Sequence, residues 1–418
     1  MERKLNRRKF ILYGSAAFGT SLLAKGCAKT SSSSNDRKPI IVGGLHDETG
    51  AIALYGVQMV SAAKMAIAEI NAAGGLLGRQ VEFKQYDTQS DIQKYTQLAQ
   101  QLILGDKVDV LVGGITSASR EAIRPIVDKY KKLYFYNTQY EGGVCDKYVF
   151  CTGVTPSSQS KLLIDYAAKK LKAKRIYTIA ADYNFGRITA DWGKLYANKN
   201  NMQVVSEEFI PLDVSDFSTT IGKIQQAKPD VIYSVLVGSN HEGFFGQWAA
   251  AGLQNKIPYL SPTFVQPYDQ DGSKRPEKAG YISAHSYYIN EPREANKNFV
   301  SKFHQQYGDR KYINFFGADT YTGVMLWAEA VKKAGTTENE AVIKALEDGL
   351  IYDRGPLGSK SFDKTHHVNH TIYILKSNAE QGFNLVDGPY NNLRAVDDQG
   401  QCDLKAKANT SKQFVPKF

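Results

Sequence analysis

The sequence lacks most of the marks of catalysis, of nucleic-acid binding and of permanent membrane insertion. It has no Walker-type phosphate loop. Gly43-Gly44 and Gly113-Gly114 close strands without completing a GxGxxG dinucleotide fingerprint. No Gly-x-Ser-x-Gly elbow occurs, and no Ser–His–Asp set can be assembled. The expectation is a protein that is not an enzyme and carries no cofactor. His366, His367 and His370 are read as solvated loop residues ahead of the strand HTIYIL, not as metal ligands. No Lys/Arg run with interleaved aromatics is present, so no nucleic-acid partner is expected.

Cysteine is scarce, with four in 418 residues. Cys27 belongs to the N-terminal segment. The other three, Cys145, Cys151 and Cys402, permit at most one internal disulfide. The formal net charge is +10. Residues 1–26 carry six basic residues against one acid, which is half of that excess, and the remainder is only mildly basic. Tyrosine is abundant, at 25 residues. Its flat apolar face and single hydroxyl suit polar ligands held in dry pockets, although half-buried sheet positions account for most of them.

The N-terminus pairs a basic region with an apolar stretch, Phe10 to Ala24, too short to span a bilayer as a permanent helix. It fits a signal h-region. Arg7 and Arg8, directly before the apolar run, look like a twin-arginine export address. Leu23-Ala24-Lys25-Gly26-Cys27 resembles a bacterial lipobox, which implies a lipid on Cys27; ordinary cleavage nearby is the alternative. Residues 27–37, including TSSSSN, read as a flexible tether.

From Pro39 apolar strands alternate with amphipathic helices, which predicts an α/β fold of parallel sheets covered on both faces. Strands are expected at 40–45, 81–87, 108–114 and 133–137, and helices between them. A second series of similar size starts near Ser157, with strands at 174–182, 203–209, 230–238 and 257–261. Tandem series predict two lobes. The chain is expected to cross between them near 156, 285 and 355. Lobe 1 is then 38–155 with 286–355, and lobe 2 is 156–285 with 356–418. Ligands of open α/β sheets sit beyond the C-terminal strand ends, often between domains. Five strand–helix corners there carry polar or aromatic groups: HDETGAIALYG (46–56), GGITSASRE (113–121), YNTQYEGG (136–143), ADYNFGR (181–187) and VGSNHEGFF (237–245).

These corners, with AIAEINAAGGLLGRQVE (66–82) and GPLGSKSFDKTHH (355–367), resemble the periplasmic binding proteins of the leucine/isoleucine/valine type, and more narrowly the branch that takes urea and short-chain amides. The resemblance implies two Rossmann-like lobes joined by a three-strand hinge. It also implies a substrate-binding component of an ABC importer, working with permease and ATPase subunits from the cell envelope. Ser117 matches a serine that donates its hydroxyl and backbone N–H to the ligand's oxygen. Tyr136 and Thr138 match a hydroxyl-bearing corner, and Tyr55 an aromatic lining the cleft. Tyr183 and Phe185 match the aromatics by which the second lobe closes. Ser239 and Asn240 stand where that lobe adds a polar contact. Phe185 and Ile115 occupy positions where some relatives carry Tyr.

Each residue has a plainer alternative. Ser117 and Thr138 fit helix caps, and Tyr183 and Phe185 fit strand-end packing. The resemblance also implies a Cys145–Cys402 disulfide; Cys145–Cys151 is the alternative. The ligand stays open between urea or an amide and an amino acid. An amino acid needs a carboxylate for its ammonium, and Asp47, Glu141, Asp182, Glu242 and Asp319 lie near the corners. A ligand-sensing regulatory protein of the same fold is the remaining alternative.

Overall fold

A computed structural model of the chain describes residues 38–267, 270, 273–395, 399, 402–405 and 416. The export segment, Cys27 and the tether lie outside the described residues.

The first series is β1 (Ile40–His46), α1 (Ala53–Ala72), β2 (Val81–Asp87), α2 (Ile92–Gln100), β3 (Val110–Gly113), α3 (Ser117–Tyr130), β4 (Tyr134–Tyr136) and β5 (Val149–Cys151). Its strands form one parallel sheet in the order β2-β1-β3-β4-β5. The second series is α4 (Ser160–Lys169), β6 (Arg175–Ala181), α5 (Asn184–Lys199), β7 (Gln203–Ile210), α6 (Ser218–Ala227), β8 (Val231–Val235), α7 (Ser239–Ala250), β9 (Tyr259–Leu260) and β10 (Ile282–His285). Its parallel strands repeat the same order, β7-β6-β8-β9-β10. Helices α8 (Glu294–Tyr307), α9 (Phe315–Ala334) and α10 (Asn339–Glu347) follow. Two antiparallel strands, β11 (His370–Ser377) and β12 (Phe383–Leu393), then extend the second sheet beyond β10.

The strands at each sheet centre are buried along their whole length, as in β3 (VLVG) and β8 (VIYSV). Continuous apolar runs of this kind belong to sheets covered on both faces. Helices α1, α9 and α10 share a core with β1, β3 and β4 on one face of the first sheet. Residues of α2 and α3 pack on its other face.

Three crossovers join the lobes, and side chains tie them together. The Thr152 hydroxyl donates to the Asp319 carbonyl at 3.2 Å, and the Ser286 hydroxyl donates to the Asp319 carboxylate at 3.2 Å. His370 Nε2 lies 3.2 Å from the Gly153 carbonyl. The third crossover falls near residue 369, not near 355. Leu357, Phe362 and Val368 still pack in the first lobe's core. Cys151 on β5 also exchanges backbone hydrogen bonds with His366 and Val368, adding that segment to the first sheet's edge. Cys402 also reaches the first lobe, where it is bonded to Cys145, while Cys151 is a buried free thiol.

The three histidines are not solvated. His366, His367 and His370 are all buried. His366 stacks on Phe150 with ring centroids 3.9 Å apart, and its Nε2 meets Glu347 at 2.9 Å. His367 Nε2 meets the Tyr140 hydroxyl. Each histidine packs against a different neighbour, and no metal-holding group is found among the described residues.

Candidate functional site

In both sheets the strand order reverses between the first strand and its neighbours, at β1/β3 and at β6/β8. Ligands of such sheets bind beyond the strand ends at that point. A cavity of about 30 Å³ lies there, between the lobes. The first lobe supplies Ile52, Tyr55, Ile115, Thr116, Thr138, Gln139 and Phe316 to its walls. The second supplies Tyr183, Phe185, Val237 and Thr263.

Of the residues named from the sequence, Tyr55, Thr138, Tyr183 and Phe185 line this cavity. Tyr55 is held by its ring against Phe316, centroids 4.6 Å apart, and its hydroxyl accepts the Gly238 N–H from the other lobe at 3.0 Å. Burial pushes its phenol up to about 12. Tyr183 stands directly before α5 in an extended conformation, and Phe185 lies in that helix's first turn, ring centroids 6.0 Å apart. Burial holds the Tyr183 phenol well above its ordinary value.

Thr138 Oγ1 is buried and has no hydrogen-bond partner among the described residues; Gln139 Oε1 and Ser117 Oγ are in the same condition. Ser117 opens α3 beside Thr116, which is the residue that lines the cavity. The helix-cap alternative for Ser117 falls, because Thr116 does the capping: its Oγ1 accepts the Ser119 N–H at 3.0 Å. The first N–H groups of a helix have no acceptor within it, so this corner favours an oxygen acceptor on a ligand.

The remaining three residues are placed elsewhere. The Tyr136 hydroxyl donates to the Ile115 carbonyl at 2.8 Å, fixing a cavity wall from behind. The Asn240 amide donates to the carbonyls of Pro211, Leu212 and Val214 at 3.3, 3.3 and 2.8 Å, closing a loop away from the cleft. Ser239 begins α7 and is exposed. From that corner it is Val237 and Gly238 that reach the interface. Gly238 takes φ +54°, and a Cβ there would lie 2.8 Å from the Ala51 carbonyl oxygen of the other lobe. Sequence reasoning also missed Gln139, Thr263 and Phe316, whose signal was their place just past a strand end or at a helix start.

Among the described residues, no charged side chain lines the cavity. The five carboxylates singled out from the sequence have other partners. Asp47 accepts from Thr88, Ser90 and Tyr95. Glu141 meets Arg120 at 2.9 Å with both side chains fully buried, and the Arg120 guanidinium also lies over the rings of Tyr136 and Tyr140. Asp182 meets Arg187, Glu242 meets Lys278, and Asp319 accepts from Ser286. The second lobe's Trp192 donates its ring N–H to the Glu141 carbonyl at 3.2 Å, a second bond across the interface. The site can bind and enclose a small molecule through hydroxyl, amide and aromatic groups, and presents no nucleophile–base pair.

A periplasmic binding protein family model matches residues 39–382. The Leu/Ile/Val-binding protein homolog 3 of Brucella melitensis is 25% identical over 342 residues, 78% of this chain and 90% of that protein. The leucine-, isoleucine-, valine-, threonine- and alanine-binding protein of Pseudomonas aeruginosa is 25% identical over 78% of this chain and 87% of its own length. Among solved structures, an ABC-transporter solute-binding protein of Rhodopseudomonas palustris in complex with 3,4-dihydroxybenzoic acid superposes with TM-score 0.77 and 26% identity, covering 87% of this chain and 99% of that one. The branched-chain amino acid transporter substrate-binding protein of Streptococcus pneumoniae, in complex with isoleucine, shares the fold: TM-score 0.72, 21% identity, 84% of this chain and all of that one.

Proposed function

The chain belongs to the periplasmic binding protein family and is a substrate-binding component of an ABC transporter, and from that premise we propose that its solute is a small uncharged molecule, urea or a short-chain amide. It is not an enzyme, as its relatives are not. The observation that carries the reading is the neutral wall of the cleft. An amino acid brings a buried ammonium that needs a carboxylate, and an unpaired buried charge costs several kcal/mol. Asp47, Glu141, Asp182, Glu242 and Asp319, the carboxylates singled out near the corners, each meet another group. Neutral donors and acceptors at Thr138, Gln139 and the start of α3 suffice for an amide.

A second reading, an aliphatic amino acid, is favoured by the names of the relatives. Calorimetric titration with urea, acetamide, formamide, leucine and glutamate separates the two. Heat from urea or an amide alone supports the first; heat from leucine alone supports the second.

Binding is coupled to closure. Contacts made from both lobes exist only when the cleft is shut, so the solute shifts the population toward the closed state. We also propose export through Arg7 and Arg8, and a lipid anchor on Cys27 that holds the protein beside its permease. Fractionation of a Cys27→Ala variant tests the anchor: release from the membrane fraction supports it, and unchanged fractionation refutes it.

A further inference from the structure

We infer that Gln139 determines specificity in the cleft, its amide oxygen accepting a hydrogen bond from an N–H of the bound solute. The inference rests on the uncharged-solute reading above. Gln139 lines the cavity, is 6% exposed, and its Oε1 is buried with no partner among the described residues. A buried acceptor left unpaired costs free energy, so a polar side chain kept in this state marks a place where a ligand completes the bonding.

The other polar groups at this end of the cleft are complementary to it. Ser117 and Thr138 bring hydroxyls, and the start of α3 brings backbone donors, all suited to a carbonyl oxygen. Gln139 adds an acceptor on the same wall as Thr138, suited to the N–H side of the same small molecule. A carbonyl and an N–H on adjoining atoms are the defining pair of an amide or urea.

The position is also rigid. The backbone N–H of Tyr140 donates to the Val154 carbonyl at 3.0 Å, pinning the loop that carries Gln139 to the first crossover. Gly153 packs so tightly there that a Cβ would lie 1.9 Å from the Thr138 carbonyl oxygen and 2.5 Å from the Gln139 nitrogen. With its backbone fixed, Gln139 discriminates because a solute lacking the matching donor leaves the acceptor unpaired in a dry site.

Two variants test the inference by calorimetry against urea, its charged isostere guanidinium at millimolar concentration, acetamide, leucine and benzoate. Thermal melting checks that each variant is folded. Gln139→Leu keeps the bulk and removes the acceptor, and is expected to weaken urea or acetamide roughly 10- to 100-fold. Gln139→Glu changes one atom and the charge, and is expected to lose urea and take up guanidinium, which the wild type rejects. If urea or acetamide binds and Gln139→Leu binds it equally well, the inference fails and the uncharged-solute reading stands. If the wild type takes only leucine, that reading fails, and the inference stands only if Gln139→Leu weakens leucine. Binding of benzoate alone, which has no N–H, overturns both, as does binding of nothing in the set.

Discussion

The Tyr55 hydroxyl accepts the Gly238 N–H at 3.0 Å, joining α1 of the first lobe to the corner after β8 of the second. The bond joins the two lobes, so separating them would break it. Tyr55→Phe removes the acceptor and leaves a buried N–H unpaired in the closed state alone. With one hydrogen bond contributing ~1 kcal/mol, solute affinity should fall about 5-fold. Small-angle scattering should show full compaction at saturation but a shifted midpoint. Wild-type affinity in this variant would mean the bond does not bias closure.

Ser117→Ala and Thr138→Val each delete a hydroxyl that has no partner among the described residues. Neither change disturbs a cap, since Thr116 caps α3. Each should leave the melting temperature close to wild type and weaken the solute by about 1–3 kcal/mol. Equal affinity in both variants would remove this corner from the site.

Asn240→Ala should behave in the opposite way. Its amide closes the loop at 211–214 through three carbonyls, so the loss appears as a lower melting temperature, about 1–3 kcal/mol of stability. Solute affinity, once the protein is folded, should hold within 2- to 3-fold. A 100-fold affinity loss at unchanged stability would return Asn240 to the ligand.

Stability should fall as pH drops below 6.5. Burial lowers His46 and His285 to about 4 each, so the folded protein keeps them neutral where the unfolded chain takes up protons. The penalty begins at the unfolded value near 6.5 and is complete below about 4. For His46 it amounts to about 3 kcal/mol. Asp47, raised by burial, works in the opposite sense. Thermal melting of His46→Gln, which keeps a polar group beside Gln85, should therefore show a flatter pH profile between 6.5 and 4 than wild type. Parallel profiles would contradict this.

Most parallel strands and covering helices were legible because apolar runs such as VLVG and VIYSV leave little alternative to a buried strand; the three-residue β5 was too short to announce itself. β12 was not, because Asn384, Asp387, Gly388 and Pro389 disguise it. It lies at the sheet's edge, where proline is tolerated. The third crossover was misplaced because the segment from Leu357 to Val368 joins the first lobe through isolated backbone bridges to Cys151, which no periodicity announces. In the site, the corners were legible as polar and aromatic stretches past strand ends, and it was the family resemblance that singled out Tyr55, Thr138, Tyr183 and Phe185 within them. Whether a side chain there turns inward is decided by tertiary contacts: Asn240 is drawn to three loop carbonyls and Tyr136 to the Ile115 carbonyl.

The claim at the centre of this account is that the cleft takes an uncharged solute. Acetamide and acetate have nearly the same shape and differ chiefly in charge, so calorimetric titration of the wild-type protein with each tests it most directly. The account predicts that acetamide binds and that acetate binds at least 100-fold more weakly, because acetate offers Gln139 Oε1 a second oxygen instead of an N–H. Acetate binding as tightly as acetamide, or binding alone, would contradict it.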